Sequence, residues 1–200
     1  MMGKTHVAMG IASAMLILHP VTTQECIVAV VGGALGGVAA DIDTVKNDYK
    51  YDALIGQLLA YSIFVVLFLL DLLLELGLCR GVLSNWGVAN AIGIAVYILL
   101  LLIGFFTPHR TFTHSLLSIA LFALSVALAC PPLLFSYLIG YASHLLLDIL
   151  NKKDVPLLYP MKKGICLKWF YAGKTANTIF MWVGVVSSLL LIANVYIQLW

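Results

Sequence analysis

Apolar runs alternate along the chain with short polar breaks, and the lengths of the runs are those of membrane helices. Four stretches, Leu54 to Leu76, Val88 to Phe106, Leu133 to Leu150 and Thr178 to Trp200, approach or exceed the roughly 20 residues a helix needs to cross hydrocarbon. His114 to Cys130 is shorter and joins them as a fifth span. Two further pieces, Thr5 to Leu18 and Ile27 to Ala40, are each about 14 residues long, a length that suits a short span, a re-entrant pair or a buried hairpin. The first of these carries His6 and lacks a small-x-small cleavage site, so it is expected to be retained rather than removed as a secretory signal. Helix breaks separate the runs: His19-Pro20, Pro108, Pro131-Pro132, and Pro156 with Pro160 in the longest loop. The pattern predicts an all-α, polytopic transmembrane helical bundle, with five firm spans and two short N-terminal helices that either span or re-enter. One integral-membrane domain is expected over residues 1–200.

Composition strengthens this reading, since 62% apolar and 10% charged residues, with a mean hydropathy of +1.05, lie far from soluble averages. Gly32, Gly33, Gly36 and Gly37 form two overlapping G-x-x-x-G pairs, which let helices approach closely in lipid. Neither Gly3-Lys4-Thr5 nor Gly173-Lys174-Thr175 carries the upstream glycine of a Walker loop, so nucleotide binding has no motif. The four cysteines, Cys26, Cys79, Cys130 and Cys166, form no metal-ribbon spacing. A net charge of +2 is too small for a nucleic-acid footprint, and no nucleic-acid partner is expected. The charge is lopsided, however. Alternating the seven segments across a bilayer puts every Lys and Arg except Arg80 on the side of the N-terminus, which is ten of eleven. The positive-inside rule makes that side cytoplasmic and leaves the C-terminus, Trp86 and Trp200 outside.

Ionisable groups in or near spans are costly and require a reason. His144 and Asp148 stand at i and i+4 near the cytoplasmic end of a span, on one helix face, able to share a metal, to hydrogen-bond or to form a structural bridge. His109 and His114 flank a loop containing Arg110, where both rings could ligate and the guanidinium could bind an anion. The plainer reading of that loop is an interfacial turn with Thr113 as N-cap. Asp41 and Asp43 end the glycine-rich helix, where acids oppose the macrodipole and a cation partner is wanted. His6 opens the first short helix. The topology drawn from Lys and Arg alone places His6, Asp41, Asp43, His109, His114, His144 and Asp148 at one membrane face, whereas His19 lies opposite and is assigned a structural role. Imidazoles with carboxylates suit zinc first, then manganese or iron, and this set is large enough for one or two ions. A metal there could lower the pKa of bound water to about 7 and supply a nucleophile. In that scheme one unliganded acid among Asp41, Asp43 and Asp148 takes the proton. Arg110, helped by Lys4, Lys152, Lys153 or Lys174, steadies a phosphate or carboxylate.

With these residues in place, the chain resembles the YdjM-type family of inner-membrane metal-dependent hydrolases, also labelled LexA-regulated or LexA-binding. The resemblance runs from Lys4 to about Lys174 and rests on four motifs in order. They are Lys4-Thr5-His6 followed by Gly10; Gly37 to Asp43; His109-Arg110-Thr111-Phe112-Thr113-His114-Ser115; and Gly140 to Asp148 with His144. One departure is Ala40, where the family pattern commonly has Pro before its first Asp; both acids remain. The resemblance implies a bacterial multi-pass enzyme of the inner membrane.

The expected function is therefore a membrane-embedded, metal-dependent hydrolase working at the cytoplasmic interface. Its expected partners are membrane lipids and an amphiphilic or lipid-linked substrate, such as a phosphoester or another ester. A divalent-cation transporter could use the same cluster as a transit site, but the outer half offers it little besides Asp71 and Glu75. A metal-free lipid phosphatase is suggested by His144 and Asp148 and weakened by the lack of an Arg shortly before that His. A zinc intramembrane protease lacks its H-E-x-x-H, and a purely structural role would make buried charge an expensive packing device.

Overall fold

Thr22 sets where the second helix begins. Its hydroxyl accepts from Glu25 N at 3.2 Å, and the Glu25 carboxylate accepts in return from Thr22 N and Val21 N, a reciprocal cap that satisfies the free amides of a helix start. The computed structural model, which describes residues 2–46, 50–161, 163–170 and 175–198, therefore begins this helix before its apolar run. Lys162, Lys174 and Trp200 lie outside the described residues. The helices are α1 (Gly3–Leu18), α2 (Thr23–Ala39), α3 (Lys50–Leu73), α4 (Leu78–Ser84), α5 (Val88–Phe106), α6 (Leu116–Ala129), α7 (Leu134–Ile149) and α8 (Thr175–Gln198).

The bundle is all-α among the described residues and contains five helical segments long and apolar enough to cross a membrane. They are not the five expected from the runs alone. Capping lengthens α2, which with the following 3-10 turn (Ala40–Lys46) gives an apolar segment of 22 residues, Thr23–Thr44. The polar Thr23-Gln24-Glu25 opening hides this from an apolar count. Conversely, α6 is held to 14 residues, because Ser115 caps its start and Pro131-Pro132 stop its end. The short α4 was not expected. Gly77 turns the chain back with φ +89°, and the Asp71 carboxylate accepts from Leu78 N at 3.0 Å and Cys79 N at 2.7 Å, which caps α4 from the end of α3.

Helices α1, α2 and α7 pack together at the centre. The overlapping glycine pairs explain how: Gly33 and Gly37 abut Gly10 and His6 of α1, whereas Gly32 and Gly36 abut Ser136 and Tyr137 of α7. A Cβ on Gly37 would stand 2.5 Å from the His6 carbonyl oxygen, so only glycine permits this approach. Val7, Ile11, Ala14 and Met15 of α1 then bury against Cys26, Ala29, Ala34 and Val38 of α2. The best 18-residue window of α3, α5 or α8 is only 17% buried, against 67% for Thr23–Thr44, so those three helices present their apolar side chains outward, as a lipid-facing shell does. Below the end of α7, the 151–170 connection folds back through bridges pairing Asn151 with Phe170 and Val155 with Ile165.

Candidate metal centre

Four segments end at the same pole of the bundle and bring their polar residues with them. His6 comes from the first turns of α1, Asp41 and Asp43 from the 3-10 turn after α2, His109 to His114 from the α5–α6 connection, and His144 and Asp148 from the last turns of α7. All seven expected residues meet there. Asp41, Asp43, His109 and His114 each offer a ligand atom within 4.8 Å of the others, as do His6, His144 and Asp148. The two sets interlock: His114 Nε2 lies 3.3 Å from His144 Nε2 and 3.6 Å from Asp148 Oδ2, and His144 Nε2 lies 3.8 Å from Asp41 Oδ1. His6 stacks on His144 with ring centroids 3.7 Å apart and points Nε2 toward Asp148 Oδ1 at 3.7 Å. Every member except His109 is buried.

The surroundings decide which ring nitrogens face inward. His144 Nδ1 is 2.7 Å from the Gly37 carbonyl oxygen; that oxygen can only accept, so Nδ1 carries the proton and Nε2 turns its lone pair into the cluster. Thr113 gives its single hydroxyl proton to Asp43 Oδ2 at 2.6 Å and is left to accept from His114 Nδ1 at 3.0 Å. That assignment turns the His114 Nε2 lone pair toward His144 Nε2. Two lone pairs 3.3 Å apart, beside two carboxylates, demand a cation, either a proton on one ring or a metal between them. Both nitrogens of His6 are buried without a hydrogen-bond partner, which a buried imidazole tolerates poorly unless a ligand is added. The donor set fits a transition metal.

Arg110 occupies the rim. Its backbone takes φ +60°, a left-handed conformation that sends its N–H to Asp43 Oδ2 at 3.0 Å while Nη2 donates to Asp148 Oδ2 at 2.7 Å. Nη1 donates to the Lys153 carbonyl oxygen, and Nε is buried without a partner. An arginine thus reaches Asp148 from the α5–α6 connection, although none stands in the residues shortly before His144. Of the helper lysines, Lys4, Lys152 and Lys153 are exposed, while Lys174 lies outside the described residues.

Thr113 is not the N-cap of α6; Ser115 is, accepting from Ser118 N, and Thr113 is thereby released to serve Asp43. Asp148 is not bridged to His144 by the i,i+4 hydrogen bond weighed from spacing, because His144 gives its Nδ1 to Gly37. Residues that spacing did not single out brace the loop: Tyr141 Oη donates to the Thr113 carbonyl oxygen at 2.6 Å, and Ser118 Oγ reaches the same oxygen at 2.9 Å. Their only sequence signal is a hydroxyl inside an apolar run. His19 ends α1 in a left-handed conformation, φ +47°, with Nδ1 against the Ile17 carbonyl, a structural position far from the cluster in the fold.

A family model described as YdjM inner membrane protein matches residues 1–200. No curated protein and no solved structure matches the chain.

Proposed function

The chain belongs to the YdjM inner membrane protein family, and we propose that it is a metal-dependent hydrolase of the bacterial inner membrane. Its centre opens at the cytoplasmic face and takes a lipid-linked phosphoester or another amphiphilic ester. The observation that supports this reading is the pair of interlocked donor sets, His6/His144/Asp148 and Asp41/Asp43/His109/His114, buried at one pole with Arg110 beside them. These residues, with Asp41 left unliganded, would hold one or two ions, zinc first, then manganese or iron. Once bound, the ion supplies a Lewis acid and lowers the pKa of a coordinated water to about 7.

The remaining roles belong to the protein. Asp43 already accepts from Arg110 N and Thr113 Oγ1 and lies 2.7 Å from His109 Nδ1, and Asp148 is engaged by Arg110. The Asp41 carboxylate keeps 7% exposure and accepts no such bond among the described residues, so it is the acid that receives the proton. Arg110 binds the anionic group of the substrate through its planar fork. The skew of Lys and Arg supports a cytoplasmic N-terminus and centre and an external C-terminus. Cation transport is disfavoured because the interior toward the opposite pole is lined by hydrocarbon, and Asp71 there is taken up by Leu78 N and Cys79 N.

The test is hydrolysis by protein in vesicles, stripped of metal and then supplied with zinc, manganese or iron, against phosphoester and carboxyl-ester lipids. Metal should restore cleavage of at least one class, and His144→Ala should abolish it. Arg110→Ala should keep metal and lose roughly ten- to hundred-fold in kcat/KM, the size of a charge-assisted hydrogen bond. Inactivity of loaded protein on every lipid would sink the proposal, and metal-dependent ion flux would establish transport instead.

A further inference from the structure

Between α2, α3, α4 and α5 lies a cavity of about 420 Å³. Its walls include Val28, Val31 and Leu35 of α2, Phe64 and Phe68 of α3 and Ala129 at the end of α6. Most of this wall belongs to candidate spans, so the surrounding medium is lipid chains rather than water. The polar groups on it are occupied or neutral. Asp71 turns its carboxylate to Leu78 N and Cys79 N, Tyr137 Oη donates to Tyr97 Oη at 3.4 Å, and burial with Asp71 beside it pushes the Cys79 thiol up to about 12. Water needs two to four polar partners to remain in such a space and does not find them here. Nor does any group remain to hold a headgroup. The volume lies within the range of about 300–1,000 Å³ of sites that enclose small ligands.

We propose that this cavity is a binding site for a single hydrocarbon chain of a membrane lipid. The lipid's headgroup stays outside the cavity, and the chain enters between helices to fill the apolar space. The site needs no metal and stands independently of the hydrolase reading. One tyrosine layer separates it from the metal centre, since Tyr137 on the cavity wall lies 6.0 Å, centroid to centroid, from Tyr141, whose hydroxyl braces the Thr113 carbonyl.

The experiment uses the full chain in phosphatidylethanolamine/phosphatidylglycerol vesicles doped with a phosphatidylcholine that carries a diazirine in the middle of its acyl chain. After irradiation and digestion, label should appear on Val31, a wall residue only 5% exposed, as well as on lipid-facing Ile98. Val28→Trp, which fills the cavity, should lower labelling of Val31 roughly five-fold and leave Ile98 unchanged, because a blocked pocket excludes its ligand. Ala129→Phe fills the same space from α6 and serves if Val28→Trp does not fold. Label confined to outward positions such as Ile98 in the unmodified protein would overturn the proposal, as would unchanged Val31 labelling in a folded cavity-filling variant.

Discussion

Thr113 carries more of the centre than its small side chain suggests. Its hydroxyl donates to Asp43 and accepts from His114, so one residue fixes a carboxylate and a ring tautomer together. Thr113→Val keeps the shape and removes both bonds. Loss of a buried donor to a charged acceptor should cost about 1–3 kcal/mol of stability, and loss of an outer partner should weaken metal affinity about 10–100-fold. Thermal unfolding in detergent and a competitive chelator titration measure the two effects, and a variant that matches wild type in both would remove Thr113 from the account. At this scale the charged members were legible in the sequence, because a carboxylate or an imidazole in a membrane span asks for a partner. Their supports were not. The Gly37 carbonyl that orients His144 belongs to the backbone, and the left-handed turn at Arg110 falls on a residue type that does not announce it.

At the scale of elements, α2 holds the centre together because its two glycine pairs serve different neighbours. Gly37 touches both functions, lying against the His6 carbonyl and accepting from His144. Gly37→Ala should push α1 from α2 and misplace both rings, with an overpacking cost of about 1–3 kcal/mol and a loss of metal. Gly81→Ala is the contrast: nothing lies within 4 Å of the added carbon on the exposed α4, and helix propensity should make it neutral or stabilising by up to about 1 kcal/mol. Equal unfolding midpoints for the two variants would contradict this packing scheme. The G-x-x-x-G spacing announced close approach, but one sequence does not say which neighbour each pair meets. Helix ends were less legible still, since the Thr22–Glu25 cap and the Asp71 cap of α4 depend on local hydrogen bonds that an apolar count ignores.

At the scale of the whole molecule, four segments far apart in sequence meet at one pole, and the lopsided Lys and Arg count predicts which side of the membrane that pole faces. Reporter fusions should place the N-terminus inside and the C-terminus outside; a C-terminal fusion active only in the cytoplasm would reverse the orientation. The convergence was legible because topology alone sorted the histidines and aspartates to one end. The interlocking of two donor sets through His114 was not, since it depends on ring orientations that spacing does not encode. The most direct test of the central claim is elemental analysis of detergent-purified protein, comparing the native chain with His144→Ala at equal folding. The account predicts one or two equivalents of a transition metal, zinc first, in the native protein, and loss of at least one in the variant. Native protein that purifies without transition metal and takes up none when zinc, manganese or iron is supplied would contradict it.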